Sequence, residues 1–208
     1  MNKETLQAIS TTAHEINVTN GFKEAESCKR SLALIISEMA EMLEADRKGK
    51  WSKDIIKSLT ERDGNLIHGM SIEQAHQFII TTEDFLGWFK ETVKDTAEDE
   101  LADVVIRITS YLAACEHNIT LEATEENLIG YTASIFLSQS TAENIFDFMQ
   151  HIVLAFNGHS NNEINLELEK IAYHCFAFAH CLGIDLEWHI NAKLTYNKTR
   201  SYLHGKAY

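Results

Sequence analysis

Two carboxylate pairs stand where apolar residues would be expected. In ISEMAEMLEA, residues 36–45, Glu38 and Glu41 are three apart; in EDELADVVIRI, residues 98–108, Glu100 and Asp103 repeat the spacing. A helix turns about 100° per residue, so residues three and four apart share a face. Leu34, Glu41, Met42 and Ala45 fall within about 60° of Glu38 on such a helix, and Glu100, Asp103, Val104 and Arg107 cluster in the same way. Both pairs are therefore expected inside the apolar stripe. Burying one unpaired carboxylate costs several kcal/mol or forces it to take a proton, and four facing each other would cost more. Something positive must sit among them. A divalent cation is the simplest choice, because hard cations prefer carboxylate oxygens and Mg²⁺ accepts a few of these together with phosphate oxygens and water.

Blander chemistry competes with this reading. Glu-x-x-Glu alone is more often a solvated helix face, and Arg107, one turn beyond Asp103, could form an ordinary i,i+4 salt bridge. A di-iron carboxylate bundle needs two Glu-x-x-His motifs on separate helices, and only Glu73-x-x-His76 is present. The ten histidines show no metal-ligand spacing.

The elements that would carry the pairs read as helices. Proline is absent and there are nine glycines in 208 residues, which favours helices joined by short loops. Periodicity predicts long helices over about 24–47, 96–115, 129–156 and 163–181, with a last one capped by Asp185. Thr96-x-x-Asp99 resembles a capping box with Asp in place of Glu. Residues 51–78 are less regular and suggest short helices around a loop at RDGN. No strand alternation is evident, so the class is all-α.

A faint internal repeat aligns CEHNITLE (115–122) with HCLGIDLE (180–187) at an offset of 65. That offset sets Asn165 opposite Glu100 and Leu168 opposite Asp103, while a looser match sets Gln139 and Ala142 opposite Glu38 and Glu41. The chain is thus expected to be a single all-α domain over 1–208. Its metal-binding half would be about 1–122 and its degenerate half about 123–208.

The formal net charge of −13 argues against binding nucleic acid or an anionic membrane. No apolar run approaches the roughly 20 residues that cross a bilayer, and residues 1–17 lack the apolar region of a signal peptide. Cys28, Cys115, Cys175 and Cys181 form no CxxC pair and are expected as free thiols. A cytoplasmic location is expected.

Beyond the two pairs, SEMAEMLEADRKGK, FKETVKDTAEDELADVVIRI and the tail AKLTYNKTRSYLHGKAY resemble segments of the MazG-like all-α nucleoside triphosphate pyrophosphohydrolases. The tail follows that family's K-x-x-Y-N-x-T-R-P-x-x-H-G-K pattern, with Ser201 where proline is usual. The resemblance covers about fifty residues at both ends of the chain. It implies an antiparallel helix bundle that splits a nucleoside triphosphate, a deoxy or non-canonical one, into monophosphate and pyrophosphate. Glu38, Glu41, Glu100 and Asp103 would hold Mg²⁺, or Mn²⁺, and Glu41 with Glu38 would assist catalysis. Lys193, Asn197 and Arg200, at i, i+4 and i+7, would bind phosphate with Tyr196, Lys206 and Lys94; a solvated basic terminus is the plain alternative. Trp51, Trp88 and Phe89 are candidates to enclose the base, or else to pack the core. The resemblance also implies a homodimer. The alternative function is a non-catalytic nucleotide sensor or scaffold, suggested by the missing carboxylates of the second half.

Overall fold

In a computed structural model, residues 2–22, 27–52, 85–121, 136–156 and 160–201 are described. Among them seven helices and no strands occur: α1 Lys3–Thr19, α2 Cys28–Arg47, α3 Phe85–Thr92, α4 Ala97–Ala114, α5 Thr141–Phe156, α6 Asn161–Cys181 and α7 Leu186–Asn197. The all-α expectation holds for these residues. The short helices expected over 51–78 lie, from residue 53 on, outside them.

Side-chain caps set most of the starts. Ser27, Thr96, Ser160 and Asp185 each accept a hydrogen bond from the backbone N–H three residues on. Ser160 and Glu163 form a full capping box. Two expectations need correction. The helix expected from about residue 129 to 156 is broken at 137–140: Phe136 is helical, α5 starts afresh at Thr141 after the Ser140 cap, and residues 129–135 lie outside the described ones. The Glu143 N–H donates to Ser140 Oγ, and the Ser140 N–H donates to Glu143 Oε2. The periodicity scan also passed over α1. Its buried face is Leu6, Ile9, Ser10, Ala13 and Ile16.

Helix α4 is the axis of the fold. It packs against α1, α2, α6 and α7, and 14 of its 18 residues are buried. One apolar cluster runs from Leu6 to Leu194, so both halves of the sequence share a core. Leu101, Val104, Val105, Ile108 and Leu112 of α4 are fully buried in it. At about 1.5–3 kcal/mol for each such side chain, their burial can offset acidic groups on the same helix. A smaller aromatic cluster joins α3 to α7 through Phe85, Phe89, Val93, Trp188, Ala192 and Tyr196.

Buried Glu169 of α6 holds the segment that follows α4. It accepts the backbone N–H groups of Thr120 (2.8 Å) and Leu121 (2.5 Å) and the Thr120 hydroxyl (3.2 Å), with His117 Nε2 2.9 Å away. Glu169→Ala strands two backbone donors and is expected to lower unfolding free energy by about 3 kcal/mol. Urea denaturation will measure this; a loss under about 1 kcal/mol would mean water replaces the carboxylate.

No helix among the described residues is long and apolar enough to cross a membrane. All four cysteines are free thiols.

Candidate metal centre

The reversal from α3 into α4 shapes one wall of the site. Asp95 adopts a left-handed backbone, φ 62°, which Asp tolerates better than most residues. Thr96 caps α4 by accepting the Asp99 N–H, and Asp99 Oδ2 accepts the Asp95 N–H at 3.0 Å. The expected Thr-x-x-Asp motif is therefore present, with its return bond made one residue before the cap. Three acids, Glu98, Asp99 and Glu100, fill the first turn. Acids near a helix N-terminus gain only about 0.3–1 kcal/mol from the dipole, too little to explain burying all three.

Glu98, fully buried, accepts the Ser52 N–H at 2.9 Å and ties residues 50–52 to α4, where the Ala97 N–H also donates to Lys50 O. Glu100 faces the other way, toward α2. One oxygen each from Glu38, Glu100 and Asp103 lie within 4.8 Å of one another. Asp95, Asp99 and Glu100 meet the same condition, so Glu100 belongs to both groups. All donors are carboxylate oxygens, the set that hard divalent cations prefer over softer transition metals.

Two cations from the chain stand at the edges. Arg107 donates from Nε to Glu38 across the α2–α4 interface. Lys193 of α7, 4 % exposed, places Nζ 2.6 Å from Asp99 Oδ2 and 2.8 Å from Asp103 Oδ2. Lys94 pairs with Asp95 at 2.5 Å. Glu100 is 4 % exposed, and its side chain makes no hydrogen bond or ion pair among the described residues. Burial pushes its carboxyl up to about 9; Lys193 opposes this, while Asp103, Asp99 and Glu38 reinforce it. Glu38 is also raised, chiefly by burial, with Arg107 pulling the other way. Burial lifts Asp99 to about 6 against the pull of Lys193. Burial disfavours a charged Lys193, yet Asp103 and Asp99 hold its ammonium above the usual lysine range. At neutral pH the Lys193–Asp99 pair is therefore ionic and metal-free Glu100 is protonated.

Carboxylate oxygens gathered within 4.8 Å of one another, beside the buried and open Oδ1 of Asp99, are a donor set of the kind a hard cation takes. On that observation the residues fit a divalent ion.

Compared with protein-family models, curated proteins and solved structures, the chain finds no match. The reading of the site therefore stands on its own residues.

Of the four residues expected to hold metal, Glu38, Glu100 and Asp103 come together and Glu41 does not join them. The apolar-stripe expectation needs correction for Glu41, which is exposed. The buried arc of α2 comprises Ser31, Leu32, Ile35, Glu38, Met39, Met42 and Ala45. Glu41 lies about 110° from the middle of that arc, so three-residue spacing carried it past the edge. It remains near enough for its charge to act on Glu38.

The tail residues are placed unevenly. Lys193 sits against the acids, and Asn197 is buried with Oδ1 lacking a hydrogen-bond partner. Tyr196 stacks on Phe89 at 4.9 Å, and the half-buried Arg200 lies 5.8 Å from the Tyr196 ring. Trp88 packs edge-on against Trp188 at 6.0 Å, and Trp51 is half-buried against the main core. Lys206 lies outside the described residues. Sequence reasoning missed Asp99 and Asp95 as members of the cluster. Asp99 precedes Asp103 by four residues and so shares its face, a signal that was legible.

Proposed function

We propose that the protein is a Mg²⁺-dependent hydrolase of the MazG-like type that splits a nucleoside triphosphate into monophosphate and pyrophosphate. One observation carries the reading: Glu100, nearly fully buried and without a hydrogen bond or ion pair among the described residues, beside Glu38 and Asp103 with all three oxygens close enough to share an ion. The sequence resemblance supplies the reaction class.

Glu38, Glu100 and Asp103 would hold Mg²⁺ or Mn²⁺. Bound there, the ion supplies Lewis acidity, neutralising phosphate charge and making water a better nucleophile. Glu41, exposed one turn along α2, keeps a carboxylate outside that group and is our candidate to take the proton from attacking water. Arg107 orients Glu38 by donating to it. Lys193 holds Asp103 in position and adds positive charge at the rim, where Arg200 and Lys94 would meet phosphate oxygens. A homodimer and a cytoplasmic location belong to the same proposal.

A nucleotide sensor without catalysis is the second reading, favoured by the double ion pair of Lys193, which already fills part of the acidic cluster. A pyrophosphate-release screen over common and modified triphosphates, with and without Mg²⁺, separates the two. Mg²⁺-dependent release from at least one substrate is expected. A nucleotide-induced rise in Tm with no product from any substrate would favour the sensor.

A further inference from the structure

We propose that Asp95, Asp99 and Glu100 form a second divalent-cation site, adjoining the Glu38–Glu100–Asp103 group through the shared Glu100. The proposal rests on the metal reading given under Proposed function, since both sites use Glu100, but it adds ligands on the α3–α4 turn that no motif pointed to.

The capping role of Asp99 accounts for only half of its carboxylate. Oδ2 accepts the Asp95 N–H and the Lys193 ammonium. Oδ1 is buried and has no hydrogen-bond partner, on a residue with no exposed surface. A buried acceptor left open in this way is unfavourable unless something positive approaches it. Glu100, the next residue, is 4 % exposed and makes no side-chain hydrogen bond or ion pair among the described residues. A carboxylate with a buried, open oxygen thus meets the Glu100 carboxyl where Asp95 brings a third.

The spacing suits a hard ion. Oxygens on opposite sides of Ca²⁺, at about 2.4 Å each, stand about 4.8 Å apart, and around Mg²⁺ or Mn²⁺ slightly closer. The three oxygens here lie within 4.8 Å of one another. This corner already attracts a cation from the chain: Lys193 bridges Asp99 and Asp103, one carboxylate from each group. By occupying the two Oδ2 atoms it leaves Asp99 Oδ1 and both Glu100 oxygens for the ion. Asp95, exposed and paired with its neighbour Lys94, turns toward solvent and gives the ion a way in.

Mn²⁺ titration of the full chain, following free aqueous Mn²⁺ by electron paramagnetic resonance, tests the proposal. The wild-type protein is expected to bind two ions. Asp95→Asn suits a left-handed backbone and leaves the core untouched; it should keep one ion and weaken the other at least about tenfold. Glu38→Gln should remove the other ion and spare the Asp95-dependent one. If wild type binds a single ion that Glu38→Gln removes and Asp95→Asn leaves alone, the second site is overturned and the first survives. If Asp95→Asn still binds two ions with unchanged affinity, the second site is again overturned. If wild type binds none, both fall together.

Discussion

Glu100→Gln is expected to cut Mg²⁺-dependent pyrophosphate release by at least about a hundredfold, since even outer-shell partners of a metal commonly cost 10–100-fold. The same variant should be harder to unfold than wild type at pH 8 without metal. Loss of function and gain of stability have one cause. In the metal-free protein Glu100 is nearly fully buried and makes no hydrogen bond or ion pair among the described residues, so burial holds its carboxyl up to about 9. An unfolded Glu titrates near about 4.3. Between those values the folded chain keeps a proton that the unfolded chain has lost. Stability from this group is complete below about pH 4 and drains away as pH rises toward 9, by up to about 1.4 kcal/mol per pH unit. Gln has nearly the same shape and no proton to lose, so its curve lacks that slope.

Denaturant midpoints from pH 5 to 9 should therefore diverge, with Glu100→Gln increasingly the more stable. Saturating Mg²⁺ should reverse the ranking at pH 8, because only wild type gains an ion there. Parallel pH curves would mean that water or an unseen donor already satisfies Glu100, and the argument for an ion would lose its main support.

How far the sequence reached depends on what each residue's role requires. Glu38, Glu100 and Asp103 were legible because a carboxylate in an apolar stripe violates the rule that buried charges have partners, and one helical period reveals the violation. Glu41 was misjudged for a geometric reason. The stripe on α2 is centred beyond Glu38, and that depends on how α2 rotates against α4 and α5, which one helix alone does not determine. Thr96 and Asp185 were readable as start signals because capping is local. The Ser140–Glu143 box is equally local, yet the apolar residues on either side of it carried the expected helix across the break at 137–140. Lys193 shows the opposite limit. Its spacing with Asn197 and Arg200 was visible, but its partners lie 94 and 90 residues earlier in the chain, and only the α4–α7 packing brings them together.

That long-range pairing makes Lys193→Met the other large effect. Met nearly preserves the aliphatic volume and removes the ammonium. Asp99, fully buried, and Asp103, with 20 % of its side chain exposed, would then face each other with Glu100 and no cation of their own. Breaking a buried ion pair from one side typically costs about 3–5 kcal/mol. For a chain of this length that corresponds to a fall in Tm of roughly 10 °C or more. The deficit should depend on pH in a definite direction. Without Lys193 the folded carboxyls hold their protons more tightly than unfolded ones, so the variant loses most at pH 8 and recovers toward pH 4, where protonation removes the repulsion. Adding Asp99→Asn should restore much of the loss, because the stranded charge rather than the missing contact is responsible. Divalent cation should restore stability as well, by standing in for the ammonium between the two acids. If Lys193→Met instead lowers Tm by the same amount at every pH and Mn²⁺ does not rescue it, Lys193 contributes packing alone, and the acidic cluster is not held together by positive charge.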